Sequence, residues 1–289
     1  MNVQPTYKRQ RFLLNFIQQL QSSVSLTDLQ KLVFLHEIES SNAFYEFVPY
    51  KFGSYSFQLR EDLEILQRDH FIFMTSVGDA LKVQAVNPVP DRSDYNLPKE
   101  RGNALIKKVY RAYPYYTINS EILDRIFSGE ELKAFKSNRS KYRKGGATLF
   151  TIGYEGRSIE SFINALLKED VRLLCDIRKN PLSRKFGFSK GRLSQICKAV
   201  GISYVHIPSL GIESEKRSSL ESVEDYKTLF AEYENSLTQK FEYLNEAYTL
   251  FKVNKRIALM CYEKEPSMCH RHVVSDYLVD TYQVKSVDL

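Results

Sequence analysis

The second half of the chain alternates short apolar segments with segments of helical periodicity, and this alternation constrains the fold more than any other feature. From Thr148 onward the apolar segments have the length of β-strands, roughly four to eight residues. Strands separated by helices predict a mainly parallel sheet that is flanked by helices on both faces. We therefore predict an α/β domain over residues 148–289.

The elements of this domain follow from the spacing of its apolar residues. Segments without helical spacing predict strands at Thr148–Tyr154, Val171–Ile177, Ser203–Ile207 and Arg256–Tyr262. Helical spacing predicts helices at Ile159–Lys168, Lys190–Val200, about Glu221–Phe251 and His270–Tyr282. The longest helix is expected to pack one apolar face against the core, and the residues of this face are Tyr226, Phe230, Tyr233, Leu237, Phe241, Leu244, Tyr248 and Phe251.

The sequence pattern of residues 1–90 predicts a smaller α+β domain, whose helices and strands follow in the order of a winged helix-turn-helix. Helical spacing covers residues 7–20, Ser25 and Thr27 precede a second helix as candidate N-caps, and a third helix is expected at about 54–68. Short strands at 71–74 and 82–86 would form the wing. Residues 91–147 are expected to be a basic connector, with a proline-rich start and helices at about 101–113 and 120–136.

The stretch PYKFGSYSFQLREDLEILQRDHFI resembles the pattern of the bacterial family that includes the YwgA-like proteins. It is more distantly similar to the Panacea antitoxin domain. Gly53-Ser54-Tyr55-Ser56 stands where that family has Gly-Pro-Tyr-Ser. The resemblance covers roughly residues 8–90, and it implies a link to toxin control, defence and DNA.

Basic residues are concentrated in one part of the chain. Residues 101–146 contain eleven Lys or Arg and four Asp or Glu, which gives +7, although the whole chain carries only +6. Cations interleaved with tyrosines are typical of nucleic-acid contacts, because cations release phosphate counterions and rings stack on bases. The alternative is a solvated linker helix. The predicted nucleic-acid contacts are Lys107, Lys108, Arg111, Arg139, Lys141, Arg143 and Lys144.

The expected compartment follows from cysteine usage and hydropathy. Cys175, Cys197, Cys261 and Cys269 lie within or beside apolar segments, and the N-terminus lacks the apolar core of a signal peptide. No apolar run approaches the roughly 20 residues that a membrane-spanning helix needs. We expect a cytoplasmic protein that makes no membrane contact.

A polar cluster follows every predicted strand of the second domain. Carboxyl ends of parallel strands meet at one edge of a sheet, so these clusters are predicted to form one site. They are Gly153-Tyr154-Glu155-Gly156-Arg157-Ser158, residues 176–188, His206-Ile207-Pro208-Ser209-Leu210-Gly211, and Cys261-Tyr262-Glu263 with Cys269-His270-Arg271.

The same clusters carry a family resemblance. Residues 148 to about 280 resemble the domain of unknown function 488 family, on Thr151-Ile152-Gly153-Tyr154, Asp176-Ile177-Arg178, Pro181-Leu182-Ser183-Arg184, His206-Ile207-Pro208-Ser209-Leu210-Gly211, Cys261-Tyr262-Glu263 and Cys269-His270-Arg271. The resemblance identifies the domain. It implies no defined activity.

The residue types at this edge indicate an anionic ligand. Arginine forks and the N–H groups at a helix start suit phosphate or carboxylate, which predicts anion binding by Arg178, Arg184, Arg271 and His270. Asp176 and Glu263 are candidate acid and base, and Tyr154 is a candidate to stack on a base or to donate to an anion. The alternative is a buried salt-bridge network that only holds the loops. Other predicted pocket residues are Glu155, Ser183, His206, Cys261 and Cys269.

Metal and thiol chemistry are weaker alternatives at the same edge. Cys261, Cys269, His270 and His272 lack the paired cysteine spacing of zinc sites, and adjacent Cys269 and His270 are expected to project in different directions from a helix start. We therefore predict no metal and no cofactor. Cys269 at a helix N-terminus beside Arg271 would have a lowered pKa, which leaves a cysteine nucleophile open.

These observations lead to one functional hypothesis and two rivals. The hypothesis is a nucleic-acid-associated protein, with DNA as partner, whose α/β domain acts on a nucleotide or modified base as a glycosylase-like hydrolase in defence or genome maintenance. One rival is a non-enzymatic sensor of modified DNA or a nucleotide. The other is a small-molecule enzyme whose winged-helix domain serves only as a homodimer surface.

Overall fold

The computed structural model divides into two compact units, Met1–Lys141 and Tyr142–Leu289. It describes residues 4–20, 22–78, 80–87, 95, 97–217 and 222–289. Most of the predicted proline-rich segment, at 88–94 and 96, lies outside the described residues.

The first part of the first unit combines helices with two small antiparallel sheets. Its elements are α1 (Lys8–Gln19), β1 (Val24–Ser25), α2 (Leu26–Glu39), β2 (Val48–Tyr50), β3 (Gly53–Tyr55), α3 (Phe57–Arg68), β4 (Ile72–Val77) and β5 (Ala80–Ala85). One sheet has the order β1-β5-β4, and β2 pairs with β3. Ser25 is the N-cap of α2, as predicted, and its Oγ accepts a hydrogen bond from the Asp28 amide at 3.0 Å.

The segment predicted as a connector packs into this unit. It forms α4 (Gly102–Ala112), α5 (Leu123–Ile126) and α6 (Gly129–Ser140), with a 3-10 turn at Pro114–Thr117. Buried residues of these helices, such as Leu105 and Phe135, share one hydrophobic core with α1 to α3. The prediction of a single helix over 120–136 is wrong, because the chain turns between α5 and α6 and Gly129 adopts a positive φ of 56°.

The second unit has the predicted α/β architecture. Its elements are β6 (Thr148–Gly153), α7 (Ile159–Lys168), β7 (Leu173–Asp176), α8 (Lys190–Ala199), β8 (Ser203–His206), α9 (Val223–Ser236), α10 (Phe241–Asn254), β9 (Arg256–Cys261), α11 (Arg271–Tyr282) and β10 (Ser286–Asp288). The five strands are parallel and lie in the order β10-β6-β9-β7-β8.

Two details of this unit differ from the prediction. The long helix is divided into α9 and α10 by a 3-10 turn at Leu237–Lys240. Because of this turn, the apolar residues of α10 do not continue the helical spacing of those on α9. Phe241 is consequently 57% exposed, whereas Leu237 and Leu244 are buried. The edge strand β10 was not predicted, because three residues are too short to show a period.

The order of the strands defines where a ligand site can form. The chain leaves β6 towards β7 and leaves β9 towards β10, in opposite directions, although β6 and β9 are neighbours. Buried residues of α9, α10 and α11 pack with one face of the sheet, and right-handed crossovers place α7 and α8 on the other. A crevice outside the carboxyl ends of the strands is the usual ligand site at such a switch point.

Membrane insertion has no support in the secondary structure. Within the described ranges, no helix combines the length and the apolar character that crossing a bilayer requires.

A buried lysine makes the stability of the first unit depend on pH. Lys31 in α2 is 1% exposed, and its Nζ lies 3.5 Å from the Ser54 carbonyl oxygen. Burial lowers the pKa of Lys31 from 10.5 to about 7, and the charge of Asp28 opposes this only partly. The folded protein therefore binds fewer protons than the unfolded chain between these values, so stability rises with pH across that window.

We predict that Lys31→Met stabilises the protein at and below pH 7 by several kcal/mol, at about 1.4 kcal/mol per unit of pKa shift. The gain should shrink as the pH approaches 10.5, because the unfolded lysine then also loses its proton. Denaturant unfolding at a series of pH values measures this difference, with the exposed Lys133→Met as the matched control. A gain that does not change with pH would contradict the explanation.

Candidate functional site at the carboxyl edge of the parallel sheet

A buried ion pair at the end of β7 lies in the middle of the carboxyl edge of the parallel sheet. Asp176 is fully buried, and Arg178 donates to it twice, from Nε to Oδ1 at 2.9 Å and from Nη2 to Oδ2 at 2.6 Å. Tyr204 of β8 donates its hydroxyl to Asp176 Oδ2, also at 2.6 Å. Burial acts to lower the pKa of Arg178, but the hydrogen bonds and charge of Asp176 outweigh it and raise that pKa.

Tyr154 joins this pair from the end of β6. Its hydroxyl accepts a hydrogen bond from Arg178 Nη1 at 3.1 Å, and its ring stacks on Phe188 with centroids 4.3 Å apart. The Arg178 guanidinium lies 5.1 Å from the centre of the same ring. Tyr154 is only 4% exposed. The structure thus brings Tyr154 together with Asp176, as predicted, but its ring is engaged by protein groups rather than open to a base.

His206 connects the pair to the start of α8. Its Nε2 lies 2.8 Å from the Arg178 carbonyl oxygen, and its Nδ1 lies 3.2 Å from Lys190 Nζ. An ammonium group only donates, so Nδ1 accepts and Nε2 carries the proton. Through these two contacts His206 orients the backbone of the loop after β7.

Small residues hold this loop against its neighbours. Gly187 has a φ of 88°, and a Cβ there would lie 2.7 Å from the Ile159 side chain. A Cβ on Gly211 would lie 2.2 Å from the Lys179 amide nitrogen. Ser183, a predicted pocket residue, accepts a hydrogen bond on its Oγ from the Lys185 amide at 3.1 Å. The loop after β7 therefore has one packed conformation.

Arg271 holds the loop after β9. Its side chain is 1% exposed, with Nε donating to Thr151 Oγ1 at 3.1 Å and Nη2 donating to the Lys264 carbonyl at 2.9 Å. Nη1 donates to the Glu263 carbonyl. These contacts correct the picture of Arg271 aimed at an anion, because its donors are directed at protein oxygens. In the alternative of a salt-bridge network Arg271 would pair with the Glu263 carboxylate, whereas the contact shown is with the Glu263 carbonyl.

The loops after β6 and β9 meet at the switch point. A Cβ on Gly153 would lie 1.8 Å from the Glu263 carbonyl oxygen, so only glycine permits this approach. Glu155 donates its amide to the Tyr262 carbonyl and accepts the Lys264 amide on Oε2, both at 2.9 Å. Glu263 is half-buried here, and its Oε2 accepts a hydrogen bond from Cys261 Sγ at 3.4 Å.

Cys261, Cys269 and His270 form a buried cluster beneath Glu263. Their ligand atoms all lie within 4.8 Å of one another. Burial raises the pKa of Cys269 well above its ordinary value, so the lowered pKa predicted for a nucleophile is wrong. His270 is 1% exposed, which corrects its predicted role as an anion ligand. His272 is separate, since its Nδ1 lies 2.6 Å from the Cys269 carbonyl.

A family comparison matches the part of the chain that forms this edge. Residues 158–278 match the family model described as Domain of unknown function DUF488. The second unit contains this matched segment and is called the DUF488 unit. The matched segment contains Asp176, Arg178, His206, Glu263 and the cysteine cluster, whereas β6 and Tyr154 precede it. No curated protein and no solved structure matches the chain.

The exposed cations predicted to bind nucleic acid belong to both units. In the first unit Arg111 pairs with Glu131 and Lys108 with Glu100, while Lys107, Arg139 and Lys141 lie on or next to α4 and α6. The remaining two cations, Arg143 and Lys144, lie at the start of the DUF488 unit and pair with acids of the α7–β7 turn. The exposed pairs of Arg111 and Lys108 contribute little to stability, whereas the carboxylate of Asp170 is buried. Arg143 pairs with Asp170, and Lys144 pairs with Glu169.

Sequence reasoning missed several residues of the DUF488 edge. Tyr204 is the clearest, because it contacts Asp176 directly. Its position on a strand that pairs in parallel with β7 was a usable signal, since the register sets Leu174 beside Tyr204 and Asp176 beside His206. Thr151 and Lys190 were missed for a different reason, because their contacts depend on loop conformations.

We predict that Asp176→Asn destabilises the protein by about 3 kcal/mol, because it leaves the buried Arg178 guanidinium without its counter-charge. Urea unfolding measures the change, with the exposed Asp280→Asn as a control of the same chemistry. The control should differ from the parent by less than about 0.5 kcal/mol. Equal effects in the two variants would show that the pair adds nothing to the fold.

Proposed function

We propose that the DUF488 unit binds a phosphate-bearing ligand at the carboxyl edge of its sheet, and that this ligand is a nucleotide unit of DNA. The observation that carries the proposal is the charge of the segment after β7. Residues 177–212 contain seven Lys or Arg and no Asp or Glu. A segment of one charge sign beside a sheet edge attracts anions, since the fields of its cations add.

The composition of the loop supports a nucleotide over a smaller anion. Arg184 is exposed at its tip, and Arg192 lies over the ring of the half-buried Phe186 with its guanidinium carbon 5.3 Å from the centroid. Lys185 lies over the buried ring of Phe188 at 5.7 Å and donates to the Tyr154 carbonyl at 3.2 Å, so Phe186 is the ring proposed to meet a base. Cations next to aromatic faces favour ligands that present both phosphate and a flat base. Arg184 and Lys185 therefore replace Arg271 as the proposed phosphate contacts.

The first unit supports DNA association through its arrangement of elements. The succession is α1-β1-α2-β2-β3-α3-β4-β5, with the sheet order β1-β5-β4. It supports a winged helix that carries an additional β2-β3 hairpin between its second and third helices. The acidic residues of α3 argue against it as the helix that contacts DNA bases. Glu61, Asp62 and Glu64 lie on it together with Arg60 and Arg68. The proposal therefore assigns phosphate contacts to the cations of α4 and α6.

A hydrolytic reaction on the bound nucleotide is the second part of the proposal, and it rests on Glu263. The Asp176 carboxylate is occupied by Arg178 and Tyr204, so it cannot also activate a water. Glu263 is half-buried and accepts a hydrogen bond from Cys261 Sγ at 3.4 Å, and a carboxylate in such a setting can position a water molecule. Release of a modified base is the reaction that this arrangement would serve in defence or genome maintenance.

We predict salt-dependent DNA binding that weakens when the loop cations are neutralised. Arg184→Gln and Lys185→Gln should each lower the affinity by roughly tenfold at low salt and reduce the salt slope by about one, because each removes a phosphate contact. Fluorescence anisotropy with a short labelled DNA measures both quantities. The matched control is Lys227→Gln on α9, whose exposed lysine pairs with Glu224 and should leave binding unchanged.

Two further readouts separate the proposal from its rivals. Mass analysis of bases released from normal and modified DNA should detect product with the parent protein and none with Glu263→Gln, which retains binding. Binding without any release would favour the sensor. Binding of free nucleotide but not of DNA, or no binding at all, would overturn the nucleic-acid proposal.

A further inference from the structure

The cluster of Cys261, Cys269 and His270 has the composition and geometry of a metal site. Cys261 is the last residue of β9, and the other two immediately precede α11. All three are buried, and their ligand atoms lie within 4.8 Å of one another. Two cysteines and one histidine are a common zinc ligand set.

The separation of Cys261 from His270 matches that around a tetrahedral ion. Bond lengths of about 2.0 to 2.3 Å at tetrahedral angles place neighbouring ligand atoms about 3.3 to 3.8 Å apart. Cys261 Sγ lies 3.5 Å from His270 Nδ1, and Cys269 Sγ is within 4.8 Å of both residues' ligand atoms. Glu263 Oε2 lies 3.4 Å from Cys261 Sγ, on the side of the cluster nearest the surface.

The histidine is already oriented for coordination. His270 Nε2 lies 3.2 Å from the Ile177 carbonyl oxygen, which fixes the proton on that nitrogen. Nδ1 is then left with its lone pair directed at the thiol group of Cys261. A histidine that donates one ring N–H to a carbonyl while the other nitrogen faces the ion is the usual second-shell arrangement of metal sites.

The local backbone explains why the sequence argued against this site. Cys269 and His270 were expected to diverge from a helix start, but Cys269 has φ −138° and ψ 133°, and α11 begins only at Arg271. Extended backbone at Cys269 lets both side chains converge on Cys261. Arg271 then holds the carbonyls of Glu263 and Lys264, so the loop beside the cluster is fixed as well.

We propose that Cys261, Cys269 and His270 bind one Zn²⁺ as its three protein ligands, with a solvent molecule in the fourth position. Zinc fits because it accepts thiolates and imidazole together in a tetrahedral site. Both cysteines bind as thiolates, so two thiol protons pass to solvent when the ion enters. The site joins β9 to the start of α11 and lies next to Glu263.

Metal titration of the purified full-length protein tests the proposal. After removal of bound metal, we expect one Zn²⁺ per chain by elemental analysis, and Co²⁺ should give thiolate charge-transfer absorption with the visible bands of a tetrahedral ion. Cys261→Ser and Cys269→Ser should each weaken Zn²⁺ binding by at least roughly 100-fold, because loss of a direct ligand exceeds the effect of losing a second-shell partner. Glu263→Gln should retain one Zn²⁺ per chain and the thiolate absorption, because Glu263 is not one of the three protein ligands.

Two controls keep the result interpretable. Cys197→Ser removes a buried thiol of α8 outside the cluster and should leave one Zn²⁺ per chain. For variants that fold poorly, the parent protein supplies a second test, since Zn²⁺ should raise its melting temperature and chelator should reverse the rise. Less than one bound ion, octahedral Co²⁺ bands, or equal binding by Cys269→Ser would overturn the assignment, as would a Cys261–Cys269 disulfide that Zn²⁺ does not prevent.

Discussion

The Asp176 carboxylate lies at zero exposure at the end of a central strand, and a charge in that position must be compensated within the protein. Arg178 and Tyr204 supply that compensation through short hydrogen bonds. The pairing draws the chain after β7 back towards the sheet. It thereby places the Arg178 carbonyl where His206 binds it, and His206 in turn accepts from Lys190 at the start of α8. A single buried charge thus organises two loops of the edge.

On the other side of the edge, the loop after β9 is also held by a buried charge, that of Arg271. Arg271 is a buried cation that donates hydrogen bonds to two backbone carbonyls and a threonine hydroxyl. Gly153 permits the loop after β9 to approach β6 closely. The result is that Glu263 and the cysteine cluster are fixed on one side, while the cations around Arg184 are presented on the other.

Much of this arrangement could be predicted from the sequence. Apolar periodicity located the parallel strands, and parallel strands bring Asp176, Tyr154 and His206 to one edge. The role of each arginine could not be predicted, because residue type does not say whether a guanidinium points to solvent or to a carbonyl. Arg271 is buried only because Thr151 and the loop after β9 offer acceptors. The cysteine cluster depends in the same way on one extended residue before α11.

The central claim is that the buried pair at Asp176 orders the basic loop that the proposed ligand contacts. Hydrogen exchange followed by mass spectrometry tests it directly in the parent protein and in Asp176→Asn. The claim predicts faster exchange of amides in residues 177–190 of the variant, with protection in β6 and β9 retained. Unchanged exchange in 177–190, or an equal loss of protection throughout the DUF488 unit, would contradict it.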